Sequence, residues 1–123
     1  MHDIFLLPTD TTPLAIFESS GNFTLQGRSL ISDINKFYQP IIEWVNQLET
    51  PSVRFNIDID YYNTASAKKL LELLRTIDNN DKVQEFEVIW HFEEDDEDTL
   101  EKGQLFEERL KKARFTYKEL IET

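Results

Sequence analysis

The sequence predicts a single α/β domain with a mixed sheet, an N-terminal β-hairpin and about three helices packed against the sheet. Apolar and polar residues alternate strictly over residues 53–60, which is the pattern of a strand with one buried face. Apolar residues at helical spacing follow directly and extend to Ile77. The chain has 123 residues without a repeat or a linker, so we expect residues 1–123 to form one domain with one core.

The elements are predicted in the order β-β-α-β-α-β-α-β, after an irregular arm over residues 1–13 that is rich in threonine and proline. In chain order the predicted strands and helices lie at 14–19, 23–26, 32–48, 53–60, from a start within 63–66 to 77, 85–92, 99–114 and 115–117. Strands that alternate with helices favour parallel pairing with right-handed crossovers, and the hairpin adds an antiparallel pair.

The first helix is predicted to start at Ser32 or Asp33, because both residue types are good N-caps. Its apolar residues from Ile34 to Leu48 fall along one side. Pro40 lies inside this pattern and should kink the helix or force a restart, because proline has no N–H and its ring clashes with the preceding turn.

The central strand is predicted to bury one row of side chains and to expose the other. The expected buried row is Val53, Phe55, Ile57, Ile59 and Tyr61. The expected outer row is Arg54, Asn56, Asp58, Asp60 and Tyr62. The strand then runs into the second helix at residues 63–66, where three of the four residues are good helix caps.

The later elements are predicted from a mixed apolar run and an acidic run. Residues 85–92 form a strand whose mixed pattern indicates burial on much of both faces. The acidic residues 93–98 are expected to form a solvated loop or the start of the third helix. Trp44 and Trp90 are expected to be core residues rather than ligand platforms.

The charge balance and the lack of cysteine limit the kinds of partner and environment. Acidic residues number 24 against 13 basic ones, and the net charge of -11 argues against a nucleic acid or an anionic membrane as partner. Without cysteine, disulfides and thiolate catalysis are excluded, and the cytoplasm is the expected location. No stretch is long and apolar enough to span a membrane, and the first residues lack the features of a signal peptide.

Motifs that carry catalysis are scarce. No Ser-His-Asp arrangement can be argued from the two histidines, and the three glycines form no phosphate-binding loop. We expect no catalytic activity, no cofactor and no metal site. The rival hypothesis is a small metal-dependent enzyme that uses Asp58, Asp60 and the acidic run 93–98, since carboxylates serve acid–base chemistry and bind hard cations. The run lacks the spaced ligands and the turn glycine of a calcium loop.

The start of the second helix carries a hydroxyl at an electropositive position. A helix N-terminus has unpaired N–H groups and partial positive charge, so that a phosphate placed there is stabilised. The residues alone leave two interpretations open. Asn63 or Thr64 simply caps the helix, or the hydroxyl accepts a phosphate.

Four segments taken together carry a resemblance to a known family. Residues 23–29 (Phe-Thr-Leu-Gln-Gly-Arg-Ser) match a strand that ends in a Gly-Arg-Ser turn, and residues 37–44 (Phe-Tyr-Gln-Pro-Ile-Ile-Glu-Trp) match a first helix. Residues 61–68 (Tyr-Tyr-Asn-Thr-Ala-Ser-Ala-Lys) are similar to a Tyr-x-Asn-Thr-Ser-Ser-x-Lys signature, and residues 9–13 to a Thr-Pro arm. In this order and spacing they resemble the SiaC-type bacterial regulatory phosphoproteins, which are similar in fold to anti-sigma-factor antagonists of the STAS class.

The resemblance implies a phosphorylation switch. Thr64 would be phosphorylated by a Ser/Thr protein kinase and dephosphorylated by a PP2C-type phosphatase. The unphosphorylated form would engage a target, a diguanylate cyclase in the best-known system, and so affect biofilm formation through c-di-GMP. Two departures bear on this expectation. Ala65 stands where the family often has a serine, and residues 30–33 replace a proline-plus-acidic turn next to the expected phosphosite.

The residues around Thr64 are the expected partner contacts. They are Arg28, Tyr62, Asn63, Ser66 and Lys68. Lys68 follows Thr64 by one helical turn and is expected to reach a phosphate there, whereas Arg28 reaches it only if the Gly27 turn lies beside the helix start. The alternative for each cation is an ordinary surface role. The alternative for the whole chain is a constitutive subunit in which Thr64 only caps.

Overall fold

The computed structural model describes residues 1–120. These residues form a six-stranded sheet and three helices, which confirms the predicted α/β class. In chain order the elements are β1 (Ile4–Leu6), β2 (Leu14–Phe17), β3 (Asn22–Ser29), α1 (Ile34–Asn46), β4 (Ser52–Tyr62), α2 (Thr64–Asp78), β5 (Glu85–Glu93), α3 (Glu97–Glu108) and β6 (Arg114–Leu120). The strand β1 lies within the predicted irregular arm and pairs with β2, so that prediction is wrong for these three residues.

The six strands lie side by side in sequence order. The strands β1, β2 and β3 pair antiparallel, whereas β3 to β6 run parallel and each is joined to the next by a helix. Because right-handed crossovers that all step in one direction put their helices on one side, α1, α2 and α3 lie on the same face. The mixed sheet is therefore as predicted, and within residues 1–120 no helix covers its second face, called here the open face.

The two faces of β4 differ in burial as its alternation predicts. Val53, Phe55, Ile57 and Ile59 are all at most 4% exposed beneath the helices. The side chains between them, from Arg54 to Asp60, are half-buried or exposed on the open face. In β5 three consecutive residues are buried, which confirms the predicted burial on both faces of that strand.

Aromatic rings fill the core between the sheet and the helices. Phe55 lies edge-to-face with Phe17 and Phe23, with ring centroids 5.4 and 5.6 Å apart. Trp44 of α1 packs edge-on against the same phenylalanines. Trp90 is 1% exposed, as expected for a core residue, and its Nε1 donates to the backbone oxygen of Thr99 at 2.9 Å.

The first helix starts where the sequence predicts and runs through its proline. Asp33 is the N-cap, and its Oδ1 accepts from the backbone N–H of Lys36 at 3.3 Å. The helix continues past Pro40 to Asn46 as one element, so the predicted restart does not occur. Proline removes one hydrogen bond, but the buried residues on both sides of it hold the helix against the sheet.

The third helix is shorter than predicted, and the last strand is longer. Asp96 caps α3 by accepting from the backbone N–H and the hydroxyl of Thr99, so that the helix begins at Glu97 and the acidic run contributes to its first turn. The helix ends at Glu108 instead of the predicted Arg114. The chain after it is held by hydrogen bonds to α2 and enters β6 at residue 114.

Candidate functional site

Thr64 is the first residue of α2, and its side chain is exposed at the carboxyl end of β4. The N-cap is Asn63, whose Oδ1 accepts a hydrogen bond from the backbone N–H of Ser66 at 2.8 Å. Thr64 therefore does not cap the helix, and within residues 1–120 its hydroxyl has no hydrogen-bond partner. The N–H groups of Thr64 and Ala65 belong to the first turn, which has no intrahelical acceptors and carries partial positive charge.

Asn63 holds this helix start against two neighbouring segments. Its backbone N–H donates to the oxygen of Ser29 at 3.2 Å, and its Nδ2 donates to the oxygen of Ile31, also at 3.2 Å. These bonds bring the helix start beside the loop after β3, where Leu30 is 40% exposed. We call the surface formed by the exposed residues Leu30, Thr64, Ala65 and Lys68, together with the half-buried Asn63, the α2 corner.

A bulge in β4 decides which of two tyrosines faces the solvent. The register pairs Gly27 with Ile59 and then Arg28 with Tyr61, so that Asp60 is an extra residue in β4. The extra residue reverses the alternation. Tyr61 is 59% exposed, and Tyr62 packs against the core. The predicted placement of Tyr61 in the buried row and Tyr62 in the outer row is wrong for this reason.

Tyr62 and Ser66, two of the expected partner contacts, lie below the surface of the α2 corner. Ser66 is fully buried, and the Lys102 ammonium of α3 lies 4.9 Å from the centroid of the Tyr62 ring. Burial, with a smaller contribution from Asp96, raises the pKa of Tyr62 well above its usual value. Both hydroxyl oxygens are buried without a hydrogen-bond partner among the described residues. In this conformation neither hydroxyl is accessible to a partner protein.

A buried hydroxyl pair supports the same corner, and the sequence reasoning did not single it out. The Oγ of Ser29 and the phenolic oxygen of Tyr38 lie 2.8 Å apart, which joins the end of β3 to α1. Burial raises the pKa of Tyr38 to about 12, although the hydrogen bond from Ser29 acts in the opposite direction. The available signal was the position of Tyr38, which falls at helical spacing with Ile34, Ile41 and Val45.

The two cations expected near Thr64 lie in different layers of the molecule. Lys68 is exposed on α2, one turn after Thr64. The Arg28 guanidinium lies on the open face, 5.5 Å from the centroid of the Tyr61 ring. The structure therefore keeps Lys68 beside Thr64 and places Arg28 with Tyr61.

The acidic residues of the rival enzyme hypothesis line a cleft with Arg28. This cleft has a volume of about 300 Å³ and lies at the carboxyl ends of β4, β5 and β6, where Asp58, Asp60 and His91 meet. Burial raises the pKa of Asp58 and lowers that of His91, and the attraction between the two partly offsets both shifts. Within residues 1–120 no group of three or more His, Asp or Glu side chains is arranged to hold a metal ion. The described residues therefore provide no ligand set for the metal-dependent hypothesis.

In the described part of the chain, residues 1–120, no helix is both long enough and apolar enough to cross a membrane.

The family of the chain follows from a match between its sequence and a protein-family model. The model of SiaC family regulatory phosphoproteins matches residues 6–120. This chain belongs to the SiaC family. The match spans the sheet from the end of β1 to β6 and includes the α2 corner, and it identifies the chain as a regulatory protein rather than an enzyme.

Solved structures of SiaC from Pseudomonas aeruginosa share the fold. Apo-SiaC superposes with a TM-score of 0.79 at 21% identity, covering 96% of this chain and 99% of that one. A second SiaC structure gives 0.81 at 20% identity, covering 98% and 100%. The crystal structure of the diguanylate cyclase SiaD in complex with its activator SiaC contains a chain that matches at 0.82 and 19% identity, covering 96% and 100%. No curated protein matches this SiaC-family chain significantly by sequence.

Proposed function

We propose that this SiaC-family chain is a non-enzymatic protein-binding module whose docking is switched off by phosphorylation of Thr64. A Ser/Thr protein kinase adds the phosphate in the cytoplasm, and a PP2C-type phosphatase removes it. The unphosphorylated form binds the target protein. The observation that carries the proposal is the exposed hydroxyl of Thr64 at the first position of α2, where Asn63 already provides the cap.

The α2 corner can accept a phosphate without loss of the fold. Phosphorylation adds about -1.5 to -2 charges at pH 7. The N–H groups of the first turn face that charge, and Lys68 lies one turn along the helix. The bonds from Asn63 to Ser66 and to the loop after β3 do not involve the Thr64 side chain, so they persist in the phosphorylated protein.

The same negative charge opposes the binding of a partner that packs closely against the α2 corner. Leu30, Thr64 and Ala65 form an uncharged, exposed surface in the unphosphorylated protein. An interface that covers them would have to bury a dianion after phosphorylation, and burying an unpaired charge costs several kcal/mol. The switch therefore acts through electrostatics and sterics at the contact and needs no large conformational change.

The expected partner contacts differ in how exposed their side chains are, and this difference decides which of them we propose as direct contacts. We propose Lys68 and the accessible part of Asn63 as contacts next to Thr64, and Arg28 with Tyr61 as contacts at the margin. Tyr62 and Ser66 act from below by shaping the corner.

A diguanylate cyclase is the proposed target. The support is that SiaC of Pseudomonas aeruginosa is the activator of the diguanylate cyclase SiaD and is found in complex with it. The chain would then control c-di-GMP synthesis and, through it, biofilm formation.

The phosphoacceptor is tested with the Ser/Thr kinase encoded nearest to this gene. The purified chain is incubated with the kinase and ATP, and intact mass and peptide mapping locate the phosphate. We expect one phosphate in the wild type and in Thr64→Ser, and none in Thr64→Ala. Thr76→Ala is the matched control, because Thr76 lies on the same helix and is expected to leave phosphorylation unchanged. Full phosphorylation of Thr64→Ala would remove Thr64 from the proposal.

The switch is tested by calorimetry with the purified cyclase and both forms of the chain. We expect binding by the unphosphorylated form, loss of binding after phosphorylation, and recovery after treatment with a PP2C-type phosphatase. Equal binding of both forms would favour a constitutive subunit.

A further inference from the structure

A second charged surface lies at the end of the sheet opposite to Thr64. A cleft of about 670 Å³ is formed at the amino ends of β4, β5 and β6. Its charged lining residues are Arg54, Glu85, Glu87, Lys111, Lys112 and Arg114. We call it the amino-end cleft.

The amino-end cleft reverses the charge of the rest of the chain. Four cations and two carboxylates line it, whereas the whole chain carries a net charge of -11. Four of the 13 basic residues of the chain fall within residues 109–114, the segment that passes this cleft on its way into β6. A positive site attracts anionic groups, whereas the acidic surface on the rest of the protein repels them.

The basic segment is fixed in place before any ligand arrives. The buried carboxylate of Asp78 accepts hydrogen bonds from the backbone N–H groups of Lys111, Lys112 and Ala113 at 2.7, 3.0 and 2.9 Å. The Nζ of Lys112 donates to the backbone oxygens of residues 80 and 83, so its charge is engaged within the protein. Lys111 remains exposed on a rigid segment, which lowers the entropy cost of binding.

Two arginines flank a glutamate in one row across the sheet. Register places Glu87 opposite Arg54 on one side and opposite Arg114 on the other. Arg54 Nε lies 3.3 Å from Glu87 Oε1, and both side chains are at least half exposed. Because neighbouring strands are about 4.8 Å apart, the two arginines stand about 10 Å apart at the backbone.

This row favours carboxylates on a peptide over phosphates. A phosphate dianion would lie next to Glu87, whereas separate carboxylates can meet Arg54 and Arg114 on either side of it. The aromatic residue of the lining, Phe86, is only 3% exposed, so the cleft has no ring on which a nucleobase can stack. We propose that the amino-end cleft docks an acidic segment of a partner protein through Arg54, Lys111 and Arg114. The proposal does not depend on phosphorylation of Thr64.

A fluorescent peptide of alternating glutamate and serine is the probe, and a glutamine-serine peptide of equal length is the neutral control. Fluorescence anisotropy with the full chain at low ionic strength should show binding of the acidic peptide alone. We expect Lys111→Glu/Arg114→Glu to weaken binding roughly tenfold or more, because two attractions become repulsions. Binding should also weaken as salt is added.

The matched control is Lys36→Glu/Lys118→Glu, which makes the same charge change at exposed positions outside the cleft. It is expected to keep most of the affinity, and Thr64→Ala all of it. If both double variants weakened peptide binding equally, net charge alone would explain the loss, and the proposal would be overturned. Absence of binding by the wild type would also overturn it, as would displacement of the peptide by equimolar inorganic pyrophosphate, which would indicate a phosphate site.

Discussion

The two ends of α2 are built for different tasks. At its first turn Thr64 is exposed, and one side chain, Asn63, holds the helix start through its amide. At its last turn Asp78 is 5% exposed, and its carboxylate accepts hydrogen bonds from three backbone N–H groups of the segment before β6. The first end leaves the Thr64 side chain exposed, and the second joins α2 to the segment before β6.

Asn80 strengthens the contrast just beyond the last turn. Its Nδ2 donates to the backbone oxygens of Val45 and Leu48 at 3.0 and 2.9 Å, which closes the end of α1. Its Oδ1 accepts from the backbone N–H of Lys82 at 2.9 Å. Asp78 and Asn80 thus make six hydrogen bonds to backbone groups at the amino end of the sheet, and we expect substitutions there to cost more stability than substitutions at the proposed regulatory surface.

The strongest test of this contrast is Asp78→Ala. The substitution leaves three N–H groups without their charged acceptor, so we expect the free energy of unfolding to fall by about 3–5 kcal/mol. Urea denaturation followed by circular dichroism measures the change. Asp81→Ala, an exposed neighbour, is the control and should stay within about 0.5 kcal/mol of wild type. Equal effects of the two substitutions would abolish the contrast.

Asn63→Ala tests the first turn of α2, where the substitution removes fewer hydrogen bonds than Asp78→Ala does at the last turn. Loss of the cap to Ser66 and of the bond to Ile31 should lower the free energy of unfolding by about 1–2 kcal/mol. Asn63→Asp keeps the capping acceptor and loses the amide donor, so it should fall between Ala and wild type. A loss as large as that of Asp78→Ala would mean that both ends carry the stability equally.

Thr64→Ala and Thr64→Glu are expected to be nearly silent in the same urea experiment. The hydroxyl makes no hydrogen bond within the described residues, and a carboxylate at the first turn of a helix is favourable. Both variants should lie within about 0.5 kcal/mol of wild type. A loss above about 1 kcal/mol would show that Thr64 is structural and that the corner is not free to change.

The smallest expected effect concerns pH and the cleft at the carboxyl ends of the strands. Burial lowers the pKa of His91 below 6.5, with Asp58 opposing and Lys118 adding to the shift. The unfolded chain therefore binds more protons near that pH, and the fold loses stability as the pH falls from about 6.5 toward the lowered pKa. Urea curves at about pH 7.5 and pH 5.5 should show a smaller pH effect in His91→Gln than in wild type. Identical pH effects would contradict this assignment.

Sequence patterns predicted much of the α2 corner. The change of period after β4 and the run of capping residues located the helix start within residues 63–66, and Asn63 was one of two expected caps. The bulge at Asp60 was not predicted, because a single extra residue leaves no mark on the alternation before it. It inverted the roles of Tyr61 and Tyr62.

The ends of α3 and β6 show a similar limit. Apolar spacing continued past Glu108, and periodicity alone could not end the helix there. The segment after it is fixed by Asp78, more than 30 residues earlier in the chain, and a window along the sequence does not contain such a contact.

By itself the sequence determined the α/β class, the one-sided burial of β4 and the hydroxyl at the head of α2, because these follow from local period and capping chemistry. Tertiary structure alone decided that Asn63 caps while Thr64 stays exposed, that Tyr61 rather than Tyr62 faces solvent, and that basic residues from β4, β6 and the segment before it share one cleft. Those features depend on the register between strands and on contacts between distant residues, and neither is written in any single segment of the chain.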